Sequence, residues 1–196
     1  VEACPRYLLQ SISNIDRSID TPKWMTDALV QSGLRSHNFL VDVTNYVLME
    51  LGQPLHAFDA DTIEGDIVVR LAQPAETITL LNEQTITLTG DELLIADDKG
   101  ALALAGIMGG QRSSVTDSTT NIVLESAFFN PLAIAARARR FGLHTDASQR
   151  FERGVDFELP ALALARAVDL ITSVTNSQAG QIITVESSKH LPARAP

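Results

Sequence analysis

Apolar positions follow helical spacing near the two ends of the chain and strand-like spacing in between. Residues 6–12 alternate loosely and predict an opening strand. Thr21 and Pro22 suit a helix N-cap and first helical position, and Trp24 and Leu29 recur behind them at helical spacing. Further helices are predicted over 41–51, ending at Gly52, over 135–140, ending near Gly142, and from 160 to 171.

Short runs rich in Ile, Val, Leu and Thr occupy the middle of the chain, separated by turn residues such as Pro74 and Asn82. Runs of this composition and length are typical of β-strands, here in an antiparallel meander. The predicted strands cover 66–72, 77–81, 85–88, 93–96, 101–106, 121–127 and 181–185. Helices on both sides of a run of strands predict an α+β fold, with a mostly antiparallel sheet and flanking helices.

We expect one compact module over residues 1–186. Residues 187–196 contain Pro192 and Pro196 and lack periodicity, so they are predicted to be a linker or tail toward a next domain. The chain opens at Val1 without an initiator methionine, which favours a fragment of a longer protein.

A hydrophobic content of 45% in 196 residues is enough for a buried core and argues against disorder. No apolar run approaches the roughly 20 residues of a membrane helix, and no basic, hydrophobic leader opens the chain. We therefore expect a soluble, cytoplasmic protein without membrane contact. The single cysteine, Cys4, excludes an internal disulfide and is interpreted as a small buried hydrophobe.

The formal net charge of −9 excludes a general nucleic-acid-binding protein, because neutralising phosphates requires an excess of Lys and Arg. Arginines are nevertheless clustered in one stretch, at positions Arg137, Arg139, Arg140, Arg150 and Arg153. The cluster is either a solvated helix face with scattered salt bridges or a local contact for nucleic acid. The sequence leaves both interpretations open.

Asn45 and His56 are polar residues in a hydrophobic neighbourhood. His56 follows a proline-containing turn, which predicts a position near an exposed loop, where functional residues concentrate. It is either a hydrogen-bonded structural histidine or a functional one. Asn45 is either a solvent-facing asparagine or an amide that fixes a substrate or a water.

Glu125 lies within the apolar segment 121–129, so we expect it to be buried. A buried carboxylate requires a partner, because removing an unpaired charge from water is costly. That partner is either one of the arginines, in an internal salt bridge, or a donor group of a ligand in a pocket.

Gly106, Gly109 and Gly110 follow a predicted strand and indicate a tight turn or a close approach of the backbone to a ligand. Downstream, Thr145 or Asp146 is expected to cap a helix, and a helix N-terminus is a natural site for an anion or a carbonyl oxygen. The glycines match no dinucleotide or nucleoside triphosphate motif. HExxH, paired CxxC and a Ser-His-acid order are also missing from the sequence, so we predict no metal site and no triad hydrolase.

Six motifs occur in a fixed order along the chain. They are Ala-Cys-Pro-Arg-Tyr at 3–7, Val-Asp-Val-Thr-Asn-Tyr-Val at 41–47, Gly-Gln-Pro-Leu-His-Ala-Phe-Asp at 52–59, Gly-Ile-Met-Gly-Gly at 106–110, Gly-Leu-His-Thr-Asp-Ala-Ser at 142–148 and Arg-Phe-Glu-Arg-Gly-Val-Asp at 150–156. In this order the segments resemble the central, editing region of bacterial phenylalanyl-tRNA synthetase beta subunits. The similarity spans nearly the whole chain, from Glu2 to about Val185, which makes it more specific than any one motif.

The resemblance implies hydrolysis of tyrosine wrongly attached to tRNA(Phe). The catalytic positions that it implies are His56, Asn45 and Thr145, the substrate-binding positions are Glu125, Gly109, Ala147 and Arg35, and the expected tRNA contacts are Arg137 and Arg140. The implied partners are the acceptor end of tRNA(Phe), tyrosine and the alpha subunit of the synthetase. Editing is expected to need no cofactor, whereas ATP and Mg would serve an aminoacylation site outside this chain.

Three other functions stay open from the sequence. The chain could be a non-catalytic structural or tRNA-docking module of the same beta subunit, a free-standing trans-editing factor, or an unrelated small-molecule hydrolase. Deacylation of Tyr-tRNA(Phe) separates the editing functions from a docking module, and turnover of simple esters without tRNA is the signature of the last class.

Overall fold

A computed structural model describes residues 2–193 of the protein; Val1 and residues 194–196, which end the predicted linker, lie outside the described residues. The strands of the described part are β1 (Arg6–Ser13), β2 (Leu55–Asp59), β3 (Val68–Leu71), β4 (Thr77–Thr79), β5 (Thr85–Thr87), β6 (Leu93–Asp97), β7 (Gly100–Leu104), β8 (Met108–Gly109), β9 (Ile122–Phe128) and β10 (Gln178–Glu186). Its α-helices are α1 (Lys23–Gln31), α2 (Phe39–Leu51), α3 (Pro131–Ile134), α4 (Arg137–Arg140), α5 (Asp146–Arg153) and α6 (Leu159–Thr175).

Two four-stranded antiparallel sheets organise the fold, which confirms the predicted α+β class. The first has the order β10-β1-β9-β2, and the second has the order β3-β6-β7-β8. The predicted meander is wrong in its connections, because β3 pairs with β6 and the strands between them, β4 and β5, form a separate hairpin. A tight turn closes that hairpin: the Leu80 N–H donates to the Gln84 carbonyl at 3.0 Å, and Glu83 takes a positive φ of 66°.

The first sheet is the middle of three layers. Alternate residues of a strand point to opposite faces, so one face of β1 and β9 presents Leu8 and Leu124 to the helix layer, where they share a core with Ala167 of α6. The other face presents Tyr7 and Ala127 to the second sheet and to α3–α5, within a second core. The face that carries Ala127 also carries Glu125, two residues away on the same strand.

The start of α1 differs from the prediction. The helix begins at Lys23, Pro22 is its N-cap residue without a side-chain cap, and Thr21 donates instead to Asp42 at 2.5 Å. Asp42 is fully buried and also accepts a hydrogen bond from the Ser36 hydroxyl. The Thr21 hydroxyl, which the sequence pattern assigned to helix capping, therefore makes a tertiary hydrogen bond instead. The exposed fraction of Trp24 is 49%, so this residue faces solvent and not the core.

Helix α2 begins at Phe39, two residues before its predicted start, and ends as predicted. The Asn38 side chain caps it by accepting from the Val41 N–H at 3.1 Å. Gly52 closes it with a positive φ of 76°, a conformation that costs glycine little.

The predicted helix over 135–140 is helical only from Arg137, and a separate short helix, α3, precedes it. Ala136 has a positive φ of 66° and separates α3 from α4. Arg137 donates to the carbonyl of Leu132 at 2.9 Å, which satisfies an acceptor in the short helix α3.

The last predicted helix and strand are present as α6 and β10, and both are longer than predicted. After β10, Ser187 donates its N–H to Pro5 at 2.8 Å, and Ser188–His190 forms a 3-10 turn. The division of the chain at residue 186 into module and linker stays a prediction.

Candidate functional site

His56 and Glu125 face each other across two neighbouring strands. In the antiparallel pairing of β2 with β9, His56 lies directly opposite Glu125, so both side chains project from the same face of the first sheet. Gln53 fixes the turn before β2 through an amide that donates to the carbonyl of Ala127 at 2.9 Å. His56 is therefore held within a strand, and the expectation that it lies near an exposed loop is wrong.

The pair opens onto a cavity of about 200 Å³ between the two sheets and α5. His56, Gly109, Glu125 and Ala147, four of the residues implied by the sequence resemblance, line it together. Its other walls are apolar and are formed by Pro54, Leu55, Leu81, Ile95, Ala103, Leu104, Gly106, Ile107, Met108, Phe129 and Phe151. A small apolar cavity with a few convergent polar groups is the usual form of a small-molecule site.

Glu125 is 6% exposed, and no hydrogen bond or ion pair joins its carboxyl group to another residue within 2–193. The alternative of an internal salt bridge with an arginine is thus wrong for the part of the chain that the structure describes. Burial raises the pKa of Glu125 to about 8, because the charged form has lost its hydration. The cavity therefore contains a carboxyl group that lacks a protein partner.

His56 presents a neutral imidazole to the same cavity. Burial lowers the pKa of His56 to about 4, because the cationic form is desolvated. Its ring packs edge-on against Phe58, with ring centroids 4.6 Å apart. Its Nε2 atom is buried and has no hydrogen-bond partner among residues 2–193. The sequence left open a structural histidine held by hydrogen bonds, and Nε2 makes no such bond in the described part of the chain.

Close packing against other parts of the protein requires the glycines of this loop, and their predicted approach to a ligand stays a prediction. A Cβ atom at Gly109 would lie 2.7 Å from Nε2 of His56 and closer still to Cε1, so only glycine lets the imidazole approach β8. Gly106 has a positive φ of 68°, and a Cβ there would lie 2.9 Å from Ile134. Gly110 approaches the backbone of Leu102, to which its N–H donates at 2.7 Å.

Thr145 is the N-cap of α5, which confirms one of the two predicted caps. Its hydroxyl accepts from the Ser148 N–H at 3.0 Å and donates to the Ile107 carbonyl at 2.8 Å. Thr145 is not a lining residue of the cavity, whereas Ala147, in the first turn, is. The first amides of a helix have no acceptor within the helix, and the Ala147 N–H is one of them.

Asn45 and Arg35 are not among the residues that line the cavity. Asn45 is half-buried on α2, and Arg35 is exposed in the segment between α1 and α2. The structure does not bring these two residues together with His56 and Glu125, and their roles stay predictions.

Several arginines of the cluster form ion pairs or hydrogen bonds with nearby acidic residues. Arg140 pairs with Asp91 at 2.7 Å and with Glu92 at 3.0 Å, and Arg137 donates to the Asp91 carbonyl at 3.0 Å. Arg150 pairs with Asp146 on α5. These contacts match the interpretation of a solvated, salt-bridged face, and the contact of Arg137 and Arg140 with tRNA stays a prediction.

Sequence reasoning missed the apolar walls of the cavity and the hydroxyl group next to it. Phe129 and Phe151 pack edge to face with centroids 5.0 Å apart, in a pattern that sequence cannot distinguish from ordinary core. Tyr7 lies in the same core, and its buried Oη has no hydrogen-bond partner among the described residues.

A second, wider cavity of about 580 Å³ lies near Asp16, Asp20 and Asp117, away from His56 and Glu125. Within residues 2–193, no group of His, Cys, Asp and Glu side chains is arranged to hold a metal ion. In the same range, no helix is both long and apolar enough to span a bilayer.

Comparison with known proteins identifies the family of the chain. Residues 3–176 match the B3/4 domain, and the chain belongs to the B3/4 domain family. It is 93% identical over 196 residues to the phenylalanine-tRNA ligase beta subunit of Psychrobacter arcticus, an alignment that covers 100% of this chain and 24% of that protein. The phenylalanine-tRNA ligase beta subunit of Acinetobacter baylyi is 59% identical over 193 residues, with 98% and 24% covered.

These similarities confirm the resemblance that the motifs indicated, and the chain spans 24% of the length of both relatives. A solved structure shares the fold: the N-terminal fragment of the phenylalanyl-tRNA synthetase beta subunit from Pyrococcus horikoshii aligns with a TM-score of 0.57 and 15% identity. The alignment covers 91% of this chain and 47% of that one.

Proposed function

We propose that this domain is the editing site of a phenylalanine-tRNA ligase and hydrolyses the ester that joins tyrosine to tRNA(Phe). The observation that carries the proposal is the Glu125 carboxyl group, which is buried at a cavity and has no protein partner within the described residues. A ligase for phenylalanine meets tyrosine as a competitor that differs from its substrate by one hydroxyl group. A buried acceptor without a partner is the group needed to detect that hydroxyl.

Selectivity follows from the cost of leaving Glu125 unpaired. The phenol of tyrosine donates a hydrogen bond to the carboxyl group, whereas the ring of phenylalanine displaces water and offers no donor. For aminoacyl-tRNA synthetases in general, a site that hydrogen-bonds a substrate hydroxyl rejects the analogue without it by about 10⁴–10⁵. The apolar walls at Phe129 and Phe151 suit an aromatic ring.

Hydrolysis requires a positioned water and stabilisation of the oxyanion that forms at the ester carbonyl. The neutral His56 imidazole positions the water or the terminal ribose through Nε2, which has no partner among residues 2–193. The Ala147 amide, in the first turn of α5, is a donor for the carbonyl oxygen. A ribose hydroxyl of the tRNA assists as the proton acceptor, so the chain supplies orientation and not a strong base.

The surroundings of the cavity receive the rest of the substrate. Asn45 orients the terminal adenosine or the water, Arg35 contributes to substrate binding, and Arg137 and Arg140 contact the acceptor end of tRNA(Phe). The full protein acts in the cytoplasm with an alpha subunit, and the editing step uses no cofactor. ATP and Mg belong to the aminoacylation site of the remaining chain.

The test is deacylation of Tyr-tRNA(Phe) by the full-length ligase that carries Glu125→Ala. We expect kcat/KM for Tyr-tRNA(Phe) to fall about 10- to 100-fold relative to Phe-tRNA(Phe), because a buried phenol hydroxyl left without its partner costs about 1–3 kcal/mol. Glu64→Ala is the matched control, since Glu64 is an exposed residue that pairs with Lys99. Unchanged discrimination in the Glu125 variant would exclude Glu125 as the reader of the phenol.

A structural role in the same subunit is the second candidate function. Strand β10 is an edge strand that is exposed along its whole length, and Ile183 and Val185 are 59% and 65% exposed. Exposed apolar residues on a sheet edge are typical of a surface that packs against another part of a protein. A purely structural domain would leave the deacylation rate unchanged in the Glu125 variant.

A further inference from the structure

Tyr7, on the strand next to β9, is a candidate protein partner of Glu125. Strand β1 lies next to β9, where Leu9 pairs with Glu125 and Tyr7 pairs with Ala127. Residues in direct register share a face of the sheet, so Tyr7 projects on the same side as Glu125, at the diagonal position. Diagonal neighbours are about 7–8 Å apart at Cα, within reach of an aromatic and a long side chain.

The Tyr7 hydroxyl group is buried without a partner. The residue is 7% exposed, and Oη makes no hydrogen bond to any residue within 2–193. A buried donor without an acceptor costs about 1–3 kcal/mol, so packing alone would be served as well or better by phenylalanine at this position. The hydroxyl therefore points to a role other than packing.

The two unpartnered groups influence each other. Burial raises the pKa of Tyr7 well above its ordinary value, and the nearby Glu125 carboxyl raises it further. Tyr7 thus stays protonated at neutral pH and can only donate to a carboxylate. The Cys4 thiol, another neighbour of Glu125, contacts the Arg6 carbonyl at 3.6 Å.

The surroundings of Glu125 contain few other titratable groups. His56 faces it from β2, and Tyr7 and Cys4 lie on the side of β1. The parts of the second sheet and of α5 that line the cavity add none. Among these groups, Tyr7 is a buried neutral donor whose acceptor is missing.

We propose that Tyr7 is a positioning residue for Glu125. When tyrosine enters the cavity, Tyr7 Oη donates a hydrogen bond to one oxygen of the ionised carboxylate and leaves the other oxygen for the phenol of the substrate. This inference rests on the proposed editing function and adds to it a residue on β1 that does not line the cavity.

The expected effect of Tyr7→Phe is a shift in the pH profile of editing. Loss of the donor removes stabilisation of the ionised carboxylate, so Glu125 ionises at a higher pH. In the full-length ligase we expect the midpoint of the pH profile for Tyr-tRNA(Phe) deacylation to rise by about one pH unit. Below that midpoint the rate falls about tenfold, after subtraction of spontaneous ester hydrolysis. Deacylation of Phe-tRNA(Phe) stays unchanged.

Tyr46→Phe is the matched control, because Tyr46 is on the helix layer and donates to Glu50 at 3.1 Å, away from the cavity. A fluorinated tyrosine introduced at position 7 is a second variant. Its more acidic hydroxyl is a stronger donor, so the midpoint should move to lower pH, opposite to the effect of phenylalanine. A residue needed only for packing would move neither midpoint.

The outcomes separate this inference from the proposed function. If Glu125→Ala loses tyrosine discrimination while both Tyr7 variants keep the wild-type midpoint, Tyr7 is not a positioning residue and the editing site stands. If Glu125→Ala keeps full discrimination, the proposed reading of the phenol fails, and the role of Tyr7 fails with it. Thermal unfolding of each variant verifies that it is folded.

Discussion

Glutamine at position 125 would remove a source of pH-dependent stability between pH 6.5 and 8. The native state keeps the Glu125 proton up to pH about 8, whereas the unfolded chain releases it near the ordinary carboxyl pKa of 4.5. Between these values the native state binds more protons than the unfolded state, so the free energy of unfolding falls as the pH rises. Glutamine keeps the shape and cannot ionise.

His56 acts in the opposite direction over a lower range. Its pKa is about 4 in the folded protein and 6.5 as the ordinary value, so the unfolded state binds more protons between these limits. Stability due to His56 therefore rises with pH up to 6.5 and offsets the loss due to Glu125. Between pH 6.5 and 8 the contribution of Glu125 dominates, with a slope that approaches about 1.4 kcal/mol for each pH unit.

The assay is urea unfolding of the 196-residue chain at several pH values from 6.5 to 8. The wild type should lose about 1.5 kcal/mol more than Glu125→Gln across this range. Comparing the two proteins cancels the titration of groups that they share. Equal slopes for both would refute the argument, because they would mean that Glu125 ionises in the native state as it does in the unfolded chain.

Two further predictions concern the packing that holds the site. Gly109→Ala should displace the His56 ring, destabilise the chain by about 1–3 kcal/mol and slow deacylation, as measured by urea unfolding and Tyr-tRNA(Phe) hydrolysis; wild-type values in both would contradict the close approach. Asp42→Ala should cost about 3 kcal/mol in urea unfolding, because it leaves two hydroxyls and the His37 N–H without their buried acceptor. Asp42→Asn keeps an acceptor and should cost less; equal losses would show that the acceptor is unimportant.

Local sequence signals were sufficient where local physics decides the structure. Gly52 predicts the end of α2, since a positive φ is needed there, and the hydroxyl of Thr145 predicts the start of α5. Apolar flanks predict the burial of Glu125. These features depend on a few neighbouring residues, so no knowledge of distant contacts is required.

Tertiary contacts account for the failures. Thr21 is a residue type that often caps helices, but its hydroxyl donates to the buried Asp42 instead. The position of His56 opposite Glu125 depends on the register of β2 with β9, two strands that lie far apart in the chain. Most residues of the cavity walls belong to the hydrophobic core, so the sequence does not distinguish them from other core residues. The cavity forms only where the second sheet packs against the first.

Strand β9 contributes side chains to both hydrophobic cores, one on each face of the first sheet. Glu125 faces the cavity, while Leu124 and Ser126, its immediate neighbours, face the opposite side, where Leu124 meets α6. A substitution on α6 that pushes against Leu124, such as a larger side chain at Ala167, would thus tilt the backbone that aims the carboxyl group. The proposed discrimination between tyrosine and phenylalanine would thus depend in part on helix packing that touches neither amino acid.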